Sequence, residues 1–300
     1  MTMAGIQSLV AFAETVKHGS FAGAARELGL SPSAVAKSVA RLEDDLGVRL
    51  LHRTTRKVSL TSEGQDLYRR CRAIVDEFEG LRDAAAGARG APTGTLRINV
   101  PITMGKLVIV PKLAALVRRH PGISLDVSFS DRYADVVSEG LDAAIRVGPL
   151  ADSSLVARRI GEQRLVVVAS PRYLRKHGEP AHPSELAAHA CMLFRLPTSG
   201  RPRAWQLVDG RRKIEWTPDA PVIMNDGEGL IAAAAEALGL TQVPDYMAAA
   251  DIRAGRLKAV LEPYQPPALP IAVVYPSARR VTPRLRAMLE ALSADGSGNV

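Results

Sequence analysis

Residues 19–61 read GSFAGAARELGLSPSAVAKSVARLEDDLGVRLLHRTTRKVSLT, and this stretch decides the fold of the N-terminal part of the chain. Phe21 to Leu28 predicts a short helix, with Phe21, Ala24, Ala25 and Leu28 on one face and Gly29 where a left-handed C-cap belongs. Ser31-Pro32 offers an N-cap hydroxyl and a proline at the first helical position, where its missing N–H costs nothing, so a second helix starts at once. Its apolar residues, Val35, Val39, Leu42 and Leu46, recur at helical spacing. The opposite face carries Ser33, Lys37, Ser38 and Arg41, short hydrogen-bonding groups and long cations that suit an element lying in a major groove, while Ala36 and Ala40 let the backbone come close. Beyond Gly47, Val48 to His52 and Val58 to Leu60 read as extended pieces around a cationic tip, Arg53-Thr54-Thr55-Arg56-Lys57. Two helices, a tight turn and a basic hairpin imply a winged helix-turn-helix. The expected DNA-facing residues are Ser31, Ser33, Ala36, Lys37, Arg41, Arg53, Thr54, Arg56 and Lys57. The competing reading is a generic three-helix domain with a solvated basic face.

The pattern GSF-x-x-AAR-x-L-x-x-SPSAV-x-x-x-x-x-RLE-x-x-LGV-x-LL-x-RTTR-x-V-x-LT-x-x-G, unbroken from Gly19 to Gly64, resembles the N-terminal signature of LysR-type transcriptional regulators. The later chain fits as well, so the resemblance covers all but the last few residues. One departure is Ala36, where the family often has Ser and where a hydrogen bond to base or phosphate is then lacking.

Composition is compatible with this reading. The 300 residues leave room for a substantial second domain, and a formal charge of +8 favours a polyanionic partner. Basic pairs also occur at Arg118-Arg119, Arg158-Arg159 and Arg211-Arg212-Lys213, outside the first module, so net charge alone decides little. Met1 to Gln7 shows neither a basic n-region nor an apolar run, and no stretch is long enough to span a bilayer; a cytoplasmic protein without a membrane partner is expected. Cys71 and Cys191 form no metal-ligand spacing and no redox pair, and are expected to be free thiols in a reducing compartment. No G-x-S-x-G, H-E-x-x-H, Walker A or strand-borne G-x-G-x-x-G pattern is present, and His182 and His189 are too far apart to share a helical turn. These observations argue against an enzyme, a metal site or a cofactor.

Ser62 to about Ala88 predicts one long helix, capped by Thr61 and ended by Gly87, Gly90, Pro92 and Gly94. Leu67, Cys71, Ile74, Phe78 and Leu81 recur at steps of four and three, the seam of a coiled coil, so a partner helix is expected. Packing against the chain's own second domain is the alternative. Family members dimerise through this helix, which the resemblance carries over; two recognition helices would then read an interrupted palindrome. Cys71 is most simply a small buried hydrophobe.

After a hinge, Leu96 to Val100, Ile123 to Phe129, Ala143 to Val147 and Leu165 to Ala169 read as strands, alternating with helices such as Lys106 to Arg119. This predicts an α/β domain with a mainly parallel sheet. LRINVP (Leu96 to Pro101) and LVVVASP (Leu165 to Pro171) echo one another and suggest two similar lobes. The resemblance implies a two-lobed, periplasmic-binding-protein-like effector domain, to whose first lobe Ile271 to Tyr275 and the helix Thr282 to Leu292 return. The expected division is a winged module over 1–60, a linker helix over 61–90, a hinge over 91–95, and a domain over 96–294 with lobes of about 96–163 plus 268–294 and 164–267.

In an open α/β sheet a ligand sits beyond the carboxyl ends of the strands, where helix N-termini supply N–H donors. Four places qualify. Ile102, Thr103 and Met104 follow the first strand, with Thr103 as first choice and an ordinary N-cap as its alternative. Asp131 and Arg146 follow later strands and offer an acid and a cation that serve either a ligand or a structural ion pair. Asn225 and Asp226 precede the helix Leu230 to Leu238, Asp226 as a cap. Thr241 and Gln242 stand where related chains carry small or apolar residues. The loop Phe194 to Arg203 flanks the same edge, though its composition is that of ordinary surface.

The expected function is that of an effector-responsive regulator that binds double-stranded DNA as a dimer of dimers. A small-molecule effector, with a carboxylate suggested by helix-terminal donors, is its second partner, and RNA polymerase is a further partner of such a role. An architectural DNA-binding protein and a solute-binding receptor are the alternatives.

Overall fold

The computed structural model describes residues 3–53, 58–68, 70–71, 91–137, 139–149, 155–277 and 281–293. The chain forms two compact units, one N-terminal and one holding the sheets of the C-terminal part.

The N-terminal unit packs α1 (Met3–His18), α2 (Phe21–Leu28) and α3 (Pro32–Leu46) against a short antiparallel hairpin, β1 (Leu51–Arg53) with β2 (Val58–Leu60). Helix α1 lies outside the sequence expectation; its Phe12 is fully buried and centres a core with Ala24, Val35, Val39 and Leu50. The two predicted caps form. Gly29 adopts φ 64°, a left-handed conformation that glycine takes without steric cost, and the Ser31 hydroxyl accepts from the Ala34 amide at 3.2 Å. Leu46, assigned to the apolar face, is instead 46% exposed at the last turn of α3.

Residues 62–68 and 70–71 are helical, and the Thr61 hydroxyl accepts from the Gly64 amide at 2.9 Å as the predicted cap. A Cβ on Gly64 would stand 2.0 Å from the Leu50 carbonyl oxygen, so only glycine lets this helix lie against the hairpin. That approach corrects the partner-helix seam. Cys71 is fully buried in the module's own core and Leu67 packs against it, because the helix start is pinned to the hairpin. Ile74, Phe78 and Leu81 lie outside the described residues.

In the C-terminal unit the strands in chain order are β3 (Gly94–Val100), β4 (Ile123–Phe129), β5 (Ala143–Val147), β6 (Leu155–Gln163), β7 (Leu165–Ala169), β8 (Cys191–Phe194), β9 (Trp205–Asp209), β10 (Arg212–Trp216), β11 (Val222–Met224), β12 (Leu240–Pro244), β13 (Lys258–Val260) and β14 (Leu269–Pro276). They form two five-stranded sheets, in orders β4-β3-β5-β14-β6 and β11-β8-β12-β7-β13, and β9 pairs with β10 in a separate hairpin. Gly94 and Thr95, expected in the hinge, already pair in register with Ile123 and Ser124.

Both sheets are mixed rather than mainly parallel. In each, the first three strands run parallel, and the remaining two, β14 with β6 or β7 with β13, are joined by antiparallel pairings. The physical reason is connectivity: β7 and β14 enter their sheets directly from the other lobe, and so arrive from the opposite end. The two lobes share one topology, in which β3 corresponds to β8 and β7 to β14. The echo between LRINVP and LVVVASP is therefore not the internal symmetry, since it pairs strands that occupy different places.

The helix after β3 begins at Ile102, earlier than the expected Lys106, and continues to Arg119 through a π-helical turn at Gly105–Ile109. Pro111 lacks the N–H that would close the preceding α-turn, and the wider turn absorbs that gap. The helix Gly227–Ala235 likewise starts before the expected Leu230. Each lobe has its own apolar core, the first including Leu96, Ile98, Leu113, Val273 and Met288, the second including Val167, Leu186, Leu193, Trp205 and Leu240.

Candidate functional site

On the N-terminal unit, Ser33, Lys37 and Arg41 stand exposed along α3 and Ala36 is half-buried, as an outward face requires when Val35, Val39 and Leu42 fill the core. The Ser31 hydroxyl, engaged as the N-cap, is also hydrogen-bonded to that of Ser33 at 3.0 Å. Arg53 ends β1; its side chain, with Thr54, Arg56 and Lys57, lies outside the described residues.

Sequence reasoning missed the residue that ties α3 to the hairpin. Glu43 is buried, and one of its carboxylate oxygens accepts from the amides of Leu50 and Leu51 at 2.9 and 3.1 Å; the other accepts from Arg49 at 3.1 Å. The signal was available: a glutamate two places after Val39-Ala40-Arg41 falls beside Leu42 on the inward side of the helix.

The second candidate site is a cavity of about 260 Å³ lined by both lobes. Thr103, Asp131 and Arg146 reach it from the first lobe, and Phe194, Gln242 and Tyr246 from the second. Asp131 accepts from the Ile102 amide at 2.9 Å, which fixes the start of the helix after β3. The Arg146 guanidinium donates to Asn99 Oδ1 at 3.1 Å, to the Ile145 carbonyl at 3.2 Å and to the Ala134 carbonyl at 2.7 Å, and lies 5.1 Å from the centre of the Tyr133 ring. Arg146 thus lines the cleft as a cation already held by its own lobe.

Five of the expected residues are placed elsewhere, the first being Ile102, which is half-buried outside the cavity lining with its amide on Asp131. Met104 is fully buried in the first lobe's core, so it forms no pocket wall. Thr241 is buried with its hydroxyl donating to the Met192 carbonyl at 3.3 Å; neighbouring strand residues face opposite sides of a sheet, and Gln242 takes the cleft side. Asn225 is exposed beside the cavity's second-lobe helix rather than lining it. Asp226 caps that helix, accepting from the amides of Glu228 and Gly229 at 3.3 and 3.2 Å. Gln242 faces the cavity, but its amide is spent on β9, accepting from the Gln206 amide at 2.9 Å and donating to the Gln206 carbonyl at 2.7 Å.

Tyr246, Gln163 and Met247 line the cavity without having been singled out, and Arg203, named only as the end of the flanking loop, lines it too. Arg203 ends the loop between β8 and β9, held by its backbone amide on the Phe194 carbonyl at 2.7 Å. That loop, which reads as ordinary surface, supplies Leu196, Pro197 and Thr198 to the same wall. Burial pulls the Arg203 guanidinium below its usual range, an effect that nearby Tyr246 opposes. Burial likewise pushes the Tyr246 phenol up, the carboxylates of Asp131 and Asp245 add to the rise, and Arg203 opposes it. At the cleft edge Lys106 of the first lobe meets Glu228 of the second at 2.6 Å.

Both thiols are buried, and burial alone raises Cys71 to about 11 and Cys191 to about 12, so both stay protonated at neutral pH. Among the described residues no group of three or more His, Cys, Asp or Glu is arranged to hold a metal ion, and no helix is long and apolar enough to cross a membrane.

A winged helix-turn-helix on the same chain as a two-lobed domain with a cleft of small-molecule size defines a DNA-binding regulator with an effector-binding domain. Residues 6–65 match the family model described as bacterial regulatory helix-turn-helix protein, lysR family, and residues 89–296 match the LysR substrate binding domain. An HTH-type transcriptional regulator of Xanthomonas campestris pv. campestris is 35% identical over 94% of this chain and 82% of its own length. CrgA of Neisseria meningitidis, an HTH-type transcriptional regulator, is 34% identical over 98% of each chain, and its solved structure superposes with a TM-score of 0.63 over 97% of this chain and 99% of that one. The full-length structure of AphB, a Vibrio cholerae virulence activator, is 27% identical with a TM-score of 0.61, covering 98% of this chain and 99% of that one. The chain belongs to the LysR family of transcriptional regulators. Its relatives are regulators rather than enzymes.

Proposed function

We propose that this regulator binds an interrupted palindrome near promoters as a dimer of dimers, and that a small molecule held in the cleft between the lobes changes the spacing of its DNA-binding modules. The observation that carries the reading is the exposure of Ser33, Lys37 and Arg41 on a helix whose other face is core, on one chain with a cleft that both lobes line. Ser33 and Lys37 set sequence preference, while Arg53, Arg56 and Lys57 of the wing hold phosphates. Ile74, Phe78 and Leu81 pair with a second copy. Coupling requires that the effector favour one arrangement over another, since a ligand with equal affinity for both shifts nothing. Acting on DNA, the protein works in the cytoplasm, where RNA polymerase is a natural partner. Genome-wide footprinting with the purified full chain tests the reading. Discrete pseudo-palindromic footprints beside a few promoters are expected; sequence-blind coverage would overturn it in favour of an architectural role.

A further inference from the structure

On the cavity wall the guanidinium of Arg203 and the phenol of Tyr246 have no hydrogen-bond acceptor among the described residues. Both are half-buried and both line the cavity. Three polar neighbours are engaged, Arg146 by Asn99 and two carbonyls, Gln242 by the backbone of β9 and Asp131 by the Ile102 amide, while Arg132, the other cation on the wall, is exposed. A cation partly withdrawn from water, with no anion at hydrogen-bond distance, favours a ligand anion that faces it.

We propose that Arg203 is the anion receptor of the cleft and that the ligand it takes is a compact monocarboxylate, with the Tyr246 hydroxyl as second donor to the same group. This deepens the effector reading above and rests on it. The remaining walls set the rest of the ligand. Phe194, Leu196, Leu230 and Met247 form an apolar stretch of the second-lobe wall, and an apolar body of the acid packs there, while Thr103, Ser130 and Gln163 keep the opposite side polar. A cavity of about 260 Å³ lies at the small end of ligand sites and suits a single ring or a short branched chain. The carboxylates of Asp131 and Asp245, which act on Tyr246, disfavour a second negative charge and hence a phosphate or a dicarboxylate. Arg203 is suited to the task because a guanidinium presents parallel donors that match a carboxylate's two oxygens.

Titration calorimetry and thermal shift on the full chain test this with matched probes: benzoate and isovalerate as acids, benzamide and isovaleramide as neutral shape mimics, succinate and inorganic phosphate as dianions. The acids are expected to bind about tenfold to a hundredfold more tightly than their amides, as a charge-assisted pair requires. Arg203→Gln should erase that difference, Arg203→Lys should keep part of it, and Tyr246→Phe should weaken the acids several-fold. Unliganded Arg203→Gln should melt no lower than the parent chain, since a desolvated charge has been removed. Equal affinity for acids and amides, failure of every monocarboxylate to bind, tighter binding of a dianion, or acid binding unaltered in Arg203→Gln would overturn the proposal. Failure of the underlying reading shows differently: an acid that binds through Arg203 yet leaves the operator footprint untouched would retain the site and sink the coupling to DNA.

Discussion

Replacing Glu43 by Ala should strongly destabilise the winged module without weakening the C-terminal domain. The carboxylate sits buried where α3 turns into the hairpin, with two backbone amides on one oxygen and Arg49 on the other. Leu50 and Leu51 are both buried, so in Glu43→Ala their N–H groups lose their acceptor with no water to replace it, at about 1–3 kcal/mol each. Arg49 is 74% exposed and simply returns to solvent, adding almost nothing. The total of roughly 2–6 kcal/mol is a large share of the about 5–15 kcal/mol that holds a typical domain. Glu43→Gln keeps a carbonyl oxygen facing both amides and should cost only about 1 kcal/mol, the difference between a charged and a neutral acceptor. The assay exploits the placement of the aromatics: both tryptophans, Trp205 and Trp216, lie in the C-terminal unit and pack edge to face at 6.0 Å. Urea unfolding followed by tryptophan fluorescence therefore reports that unit, while far-UV circular dichroism reports the helical module as well. Glu43→Ala should add an early transition in circular dichroism and leave the fluorescence midpoint in place. An unchanged circular dichroism curve, or equal losses in Glu43→Ala and Glu43→Gln, would refute the reasoning.

Two further predictions concern DNA and pH. Arg56→Ala should weaken all operators alike and reduce the slope of log affinity against log salt by about one, whereas Ser33→Ala should reorder operators with little change in salt dependence; competition binding over a salt series separates them. His189 has its proton affinity lowered by burial and by nearby His177, and its Nδ1 lies 3.3 Å from a Tyr173 hydroxyl that already accepts from the Ala190 amide, a geometry that suits a neutral imidazole. The unfolded chain then binds the proton more readily, so stability rises with pH and is lost as pH falls through the ordinary histidine value of 6.5. Tryptophan-detected melting of the parent chain should fall below that pH, and His189→Gln should flatten the dependence.

The winged module was legible because its signals are local. A cap, a proline at the first helical turn, a glycine at a positive φ and an apolar stripe act within a few residues of one another, and Ser31, Pro32, Gly29 and Val35 carry them regardless of what lies far along the chain. Strand positions such as Ile123–Phe129 and Ala143–Val147 were legible for the same reason. The family, too, follows from the sequence, as the matched residues 6–65 and 89–296 show. Tertiary structure decided what depends on distant partners. The direction of β14 relative to β5 follows from which lobe the chain returns from, and nothing within Leu269–Pro276 encodes it. Cys71 and Leu67 have coiled-coil spacing, yet the approach of Gly64 to Leu50 turns them into the module's own core. Thr241 and Gln242 are adjacent and equally polar, and only the placement of β12 sends one to the core and the other to the cleft. Arg203 is one of many basic residues in the sequence; what sets it apart is the loop that carries it, half-buried, onto the cleft wall, a property of the fold and not of the residue.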